Sequence, residues 1–108
     1  MATPRKIERD LRIFQRDKFR CVYCEYFGGT FETWRYLTVD HFSPRARGGA
    51  ENDENLVTAC MDCNCIKSGY EFASLAEAKA QMAVWLAKER QDFNEHFASF
   101  VKNTQAGN

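Results

Sequence analysis

Cys21-Val-Tyr-Cys24 and Cys60-Met-Asp-Cys63 bracket a single Asp40-His41 step. A CxxC turn delivers two sulfurs from one knuckle, and a tetrahedral zinc site takes four at about 2.3 Å. Two knuckles make a closed four-cysteine site, which has no open coordination position and is therefore structural. The polar residues between and beside the knuckles carry other chemistry. Asp40, His41, Asn55, Asn64 and Lys67 are groups that hold a hard cation, move a proton or touch a phosphate. The pattern is that of a zinc-stapled scaffold around a second, working metal site. A redox or disulfide role for the cysteines is the weaker reading. No thioredoxin-like βαβ pattern accompanies them, and five cysteines cannot all pair.

The elements that must position these residues follow from local signals. Thr3 can cap a helix with Pro4 at its first position. Ile7, Leu11 and Phe14 then share one face, predicting a helix over roughly 4–17. Gly28-Gly29 marks a turn, and residues 31–37 read as irregular or short strand. Tyr36 to Val39 is a β-rich run ending at Asp40-His41. The Phe42–Gly49 segment reads as a compact surface loop, and Asn55 to Ala59 returns as a second strand. Cys60 to Ser68 should be a short helix carrying the second knuckle, with Gly69 ending it. Ser74-Leu-Ala-Glu77 is a capping box. It opens a stretch, 74–106, in which Leu75, Met82, Leu86, Phe93, Phe97 and Phe100–Val101 recur at helical spacing. One long helix or two abutting ones should cover the zinc core there.

At 108 residues a single domain is expected, with a basic N-terminal helix (1–20), a zinc-stapled core (21–69) and a helical segment (74–104). A chain of this size buries only about two thirds of its unfolded surface, so a metal staple is useful. No run approaches the roughly 18 apolar residues of a membrane span. The N-terminus has no apolar core of a secretory signal, so the cytoplasm is the expected compartment. The formal charge is zero, but it is unevenly spread. Residues 1–20 carry seven Lys/Arg against three Asp/Glu, and residues 21–70 carry four against seven. A basic arm beside an acidic, metal-ready centre suits a phosphodiester substrate, and equally suits a solvated amphipathic helix.

The middle of the chain reads Asp40-His41, two residues, Pro44, three residues, Gly48-Gly49, five residues, Asn55-Leu56, three residues, Cys60, two residues, Cys63-Asn64, two residues, Lys67. This resembles the HNH endonuclease family in its zinc-bearing branch, over residues 21–68. The resemblance implies an α+β fold: a ββα-metal (His-Me finger) core with a four-cysteine zinc site, flanked by the N-terminal helix and the C-terminal helix or helix pair. Carried over residue by residue, it makes His41 the general base and Asp40 a ligand of a divalent metal. Asn55 becomes the loop brace that orients His41. Asn64 takes the third position, often His in the family, as the second metal ligand. A carboxylate and an amide oxygen suit magnesium or manganese better than a softer ion. Lys67, Arg45 and Arg47 are the candidate phosphate contacts.

The function implied is metal-dependent hydrolysis of DNA phosphodiesters, one strand per event, with RNA open as a substrate. The alternative is a catalytically weak zinc-containing nucleic-acid-binding module, and a third reading is a protein-interaction domain using the Phe-rich helix. That helix would also be the face of a homodimer. Cys65 reads as a spare thiol, and His96, which lacks a partner constellation, as structural.

Overall fold

The computed structural model describes residues 6–106. The expected Thr3–Pro4 cap lies outside that range. Helix α1 spans Ile7–Arg16, and a short α2 spans Phe31–Trp34. Strand β1 (Leu37–His41) runs antiparallel to β2 (Leu56–Cys60), with Leu37 opposite Cys60 and His41 opposite Leu56. A loop with one 3-10 turn at Arg45–Arg47 joins the strands. Helix α3 (Met61–Lys67) follows β2 directly. Helices α4 (Leu75–His96) and α5 (Ala98–Ala106) complete the described chain. Strand, loop, strand and helix form the expected ββα-metal core of an α+β fold.

Two apolar faces meet at the sheet. Ile13 and Phe14 of α1 are buried, as are Leu37 and Leu56 on the strands. Full burial of each such side chain contributes about 1.5–3 kcal/mol. Arg16 ties α1 to the strand entry, donating to the carbonyls of Asp53 and Leu56 at 2.7 and 2.6 Å. Asp17 accepts from the Thr58 amide at 2.9 Å. Arg16 of the basic arm is thus used within the fold.

The second cluster surrounds the cysteines. Cys21, Cys60 and Cys63 are buried together with Tyr23, Ala59, Phe72, Ala78 and Met82. Ala78 and Met82 bring α4 onto this cluster, with Trp85 and Leu86 beside them. The expected cover extends no further. Phe93, Phe97, Phe100 and Val101 are exposed, because the helix continues past the body it packs on. The C-terminal segment is two abutting helices, parted at Phe97.

Two local expectations are corrected. Residues 31–34 form a helical turn, capped reciprocally by Thr30 and Thr33. The left-handed stop after α3 is Ser68, at φ 50°, and not Gly69. In the loop between the strands, Gly48 adopts φ 86°, which glycine tolerates without a Cβ penalty. Gly49 is needed for space, since a Cβ there would stand 1.7 Å from the Ser43 carbonyl oxygen.

Candidate active site and metal centre

The first knuckle is a tight hairpin. Cys21 donates its amide to the Tyr26 carbonyl at 2.9 Å, and Glu25 turns the chain at φ 68°. The second knuckle spans the end of β2 and the first turn of α3, where the Cys60 sulfur accepts from the Cys63 amide. The sulfurs of Cys21, Cys24, Cys60 and Cys63 all lie within 4.8 Å of one another. The Cys24–Cys60 separation is 3.7 Å, close to the edge of about 3.8 Å that a tetrahedron with 2.3 Å metal–sulfur bonds requires. The thiols cannot share charge by themselves. Hydrogen bonds from Cys60 and Cys63 draw Cys21 strongly toward thiolate, and the same contacts push Cys60 and Cys63 up. A divalent cation resolves that conflict. The four cysteines are positioned to bind a metal ion, consistent with zinc. Cys65 is exposed and lies outside the cluster.

A polar cleft of about 750 Å³ opens beside β1 and α3. Asp40, His41 and Asn64 all line it, although 23 residues separate the last two. Asp40 is buried at the end of β1. Its Oδ2 accepts from the Tyr23 hydroxyl at 2.7 Å and lies 3.2 Å from the Lys67 ammonium. Burial, and then the Asp40 charge, push the Tyr23 hydroxyl well above its usual pKa, so it stays a donor. Asp40 Oδ1 makes no hydrogen bond among the described residues. Nor does the Asn64 side chain. One carboxylate oxygen and one amide thus border the cleft with coordination capacity to spare, a donor set that fits a hard divalent cation.

His41 is held from three sides. Its carbonyl accepts from Lys67 Nζ at 3.1 Å, and its Nε2 is 2.6 Å from Glu51 Oε1. The third hold is the loop itself. Asn55 accepts from the Ser43 amide at 2.8 Å and donates to the carbonyls of Ser43 and Ala50 at 3.0 and 2.9 Å. Its own carbonyl accepts from the Phe42 amide at 2.8 Å, one residue past His41. The Asn55→Ala protein is expected to lose about 1–3 kcal/mol, since loop amides and carbonyls lose their partners. Urea unfolding measures that loss, and the metal content of the four-cysteine site should not change.

The candidate phosphate contacts are redistributed. Lys67 is not one of them, for its side chain is fully buried against Asp40. Removing one partner of a buried pair strands the other's charge. Lys67→Ala should therefore destabilise the fold by about 3–5 kcal/mol, read by urea unfolding. A surface phosphate contact would instead leave stability unchanged and lower the salt dependence of binding. Arg47 donates to the Gly69 carbonyl at 3.0 Å and is not among the cleft residues. Arg45 does line the cleft, and so do Lys6, Arg9 and Arg35. Glu51 gathers two of these cations, with Arg45 at 3.6 Å and Arg9 at 4.0 Å. The hydrogen bond from His41 holds its carboxyl below the usual range. Sequence reasoning missed Glu51, Tyr23, Lys6, Arg9 and Arg35, none of which has a fixed-spacing signal.

Residues 21–69 match the model of the HNH endonuclease family. The segment starts at the first knuckle's Cys21 and ends two residues past α3, a little under half of the chain. That segment is similar to an HNH endonuclease domain, and its four clustered cysteines are consistent with the zinc-bearing branch of that family. Searches of curated proteins and of solved structures give no match. No helix among the described residues is long and apolar enough to cross a membrane.

Proposed function

We propose that the protein is an endonuclease that hydrolyses DNA phosphodiester bonds with the help of a divalent cation, magnesium or manganese. One observation carries the reading: Asp40, His41 and Asn64 line a single cleft whose rim holds Lys6, Arg9, Arg35 and Arg45. Four cations suit a polyanionic backbone, and the acid and amide suit a metal. The four cysteines hold zinc as a staple and take no part in the chemistry.

The residues divide the work. Glu51 accepts the Nε2 proton of His41 and so selects the tautomer whose Nδ1 carries the lone pair. Nδ1 takes a proton from the attacking water, the work of a general base. The new bond joins the water oxygen to phosphorus, and the P–O3′ bond breaks, leaving a 5′ phosphate and a 3′ oxygen that takes its proton from solvent water. Asp40 Oδ1 and the Asn64 amide oxygen would hold the cation, which supplies charge stabilisation at the phosphate and the departing 3′ oxygen. Asn55 and Lys67 keep His41 in place through the backbone on either side of it. Arg45 and Arg9 bind flanking phosphates. A single site cuts one strand per event.

Asp40 already spends one oxygen on Tyr23 and Lys67, which favours a second reading, a zinc module that binds nucleic acid without turnover. Metal content separates the two. The nuclease should hold one ion that resists mild chelation and a second that exchanges readily. Asn64→Ala should weaken that second ion by at least the roughly 10–100-fold that even an outer-shell partner costs. Stability should not change, because the Asn64 side chain makes no hydrogen bond among the described residues. A protein with only the resistant ion is the binding module.

A further inference from the structure

A second depression of about 420 Å³ lies at the Gly28-Gly29 turn, lined by Phe19, Phe27, Phe31 and Trp34 together with the two glycines. Its aromatic rings are not core. Phe27 and Phe31 are 50% and 66% exposed, and Phe31 opens the helical turn that Thr30 and Thr33 cap. The glycines make the floor. A Cβ on Gly29 would stand 2.2 Å from the Phe27 ring, and one on Gly28 would stand 2.5 Å from Leu37 Cδ1. Leu37 also lines the cleft, as does Arg35, the neighbour of Trp34. Gly28 of this depression thus packs on Leu37 of the cleft, which makes the two neighbours.

Cations sit on the rings. The Arg20 guanidinium lies 4.5 Å from the Phe27 centroid, and that of Arg35 lies 5.6 Å from the Phe31 centroid. Glu32 is the one acid among residues 26–36. Exposed aromatic faces interleaved with arginines are the elements that bind single-stranded nucleic acid, the rings stacking bases and the cations tracking phosphates. A protein partner could use the rings, but a guanidinium over each ring adds charge that suits a polyanion best. Among the described residues no cation is found over the exposed Phe93, Phe97 and Phe100 of the C-terminal helices, which carry no similar argument.

We propose that this pocket is a nucleobase-stacking subsite. It takes an unpaired base of the strand whose phosphate lies in the adjacent cleft, and it rests on the nucleic-acid reading of that cleft. The site would favour substrates with unstacked bases, such as single strands, bubbles or frayed ends, over uninterrupted duplex.

The test is equilibrium binding of a fluorescein-labelled oligothymidylate of about ten nucleotides, without added divalent metal. The expected result is quenching of Trp34 emission on binding, abolished in Trp34→Phe. The other tryptophan, Trp85, packs against Tyr70 and Phe72 and should not respond. Phe27→Leu with Phe31→Leu keeps apolar bulk but removes the stacking faces, and should weaken binding about 5- to 150-fold. Phe31→Trp should retain it. Metal content and circular dichroism establish that the variants fold. The proposal is overturned if the leucine protein binds as tightly as the parent, if Trp34 does not respond, or if the parent binds only paired duplex or no nucleic acid. A protein that stacks the oligonucleotide as described yet nicks no plasmid keeps this subsite and loses the nuclease reading.

Discussion

Replacing His41 with alanine is expected to slow strand cleavage about 10²–10⁴-fold, the usual worth of a general base. That loss corresponds to roughly 3–5 kcal/mol of activation free energy. It should appear in the rate and not in the fold. The His41 side chain contributes one hydrogen bond, to the half-exposed carboxylate of Glu51. The contacts that hold the end of β1 are made by its backbone, through the ladder to Leu56 and the bond from Lys67. Alanine keeps all of these. Single-turnover cleavage of a labelled duplex, with metal content and circular dichroism measured on the same sample, separates lost chemistry from lost structure. An alanine protein that cleaves as fast as the parent would remove His41 from the mechanism.

The largest effect on stability is expected at Cys63. It is fully buried, at the centre of the cluster that joins both knuckles to Phe72 and to Ala78 and Met82 of α4. Structural zinc in small domains contributes about 10–16 kcal/mol of apparent binding free energy, comparable to or larger than a domain's net stability. Cys63→Ser leaves three sulfurs and a hydroxyl that binds zinc poorly. The variant should lose the metal and with it the cooperative unfolding transition, and a strong chelator should do the same to the parent. Cys65→Ser, two residues along α3 but exposed and outside the cluster, should unfold as the parent does. Calorimetry with metal analysis reads all three. A Cys63→Ser protein that melts normally would show that the knuckles are held by packing alone.

Legibility in the sequence followed the range of the forces involved. The knuckles, the Asp40-His41 step, the Gly48-Gly49 pair and Asn55 are short-range patterns with fixed spacing. Each depends on local geometry: a turn that aims two sulfurs, a left-handed residue, a carbonyl that excludes a Cβ. Residues whose role depends on what packs over them were not legible. Lys67 reads as a surface cation until α3 docks on β1 and buries it against Asp40. Glu51 lies in a loop of similar polar residues, and only the folded turn brings it to His41. Lys6, Arg9 and Arg35 come to the cleft from separate elements, while Arg12 of the same helix is taken by Asp53. Helical periodicity marked 74–106 as helical, but of the apolar positions it singled out only Met82 and Leu86 reach the cluster, because periodicity does not say how far a neighbour extends. The turn at residues 31–34 escaped because its reciprocal cap uses Thr33 where a capping box usually has Glu or Gln.

The central claim is that this cleft cuts nucleic acid with the help of a hard divalent cation. Nicking of supercoiled plasmid by the zinc-loaded protein tests it most directly, with and without magnesium or manganese, beside the His41→Ala protein. The account predicts nicked circles that accumulate only when the cation is present, and only with the intact histidine. A plasmid that stays supercoiled while the protein retards it on a gel would contradict the account and leave a zinc module that binds without cutting.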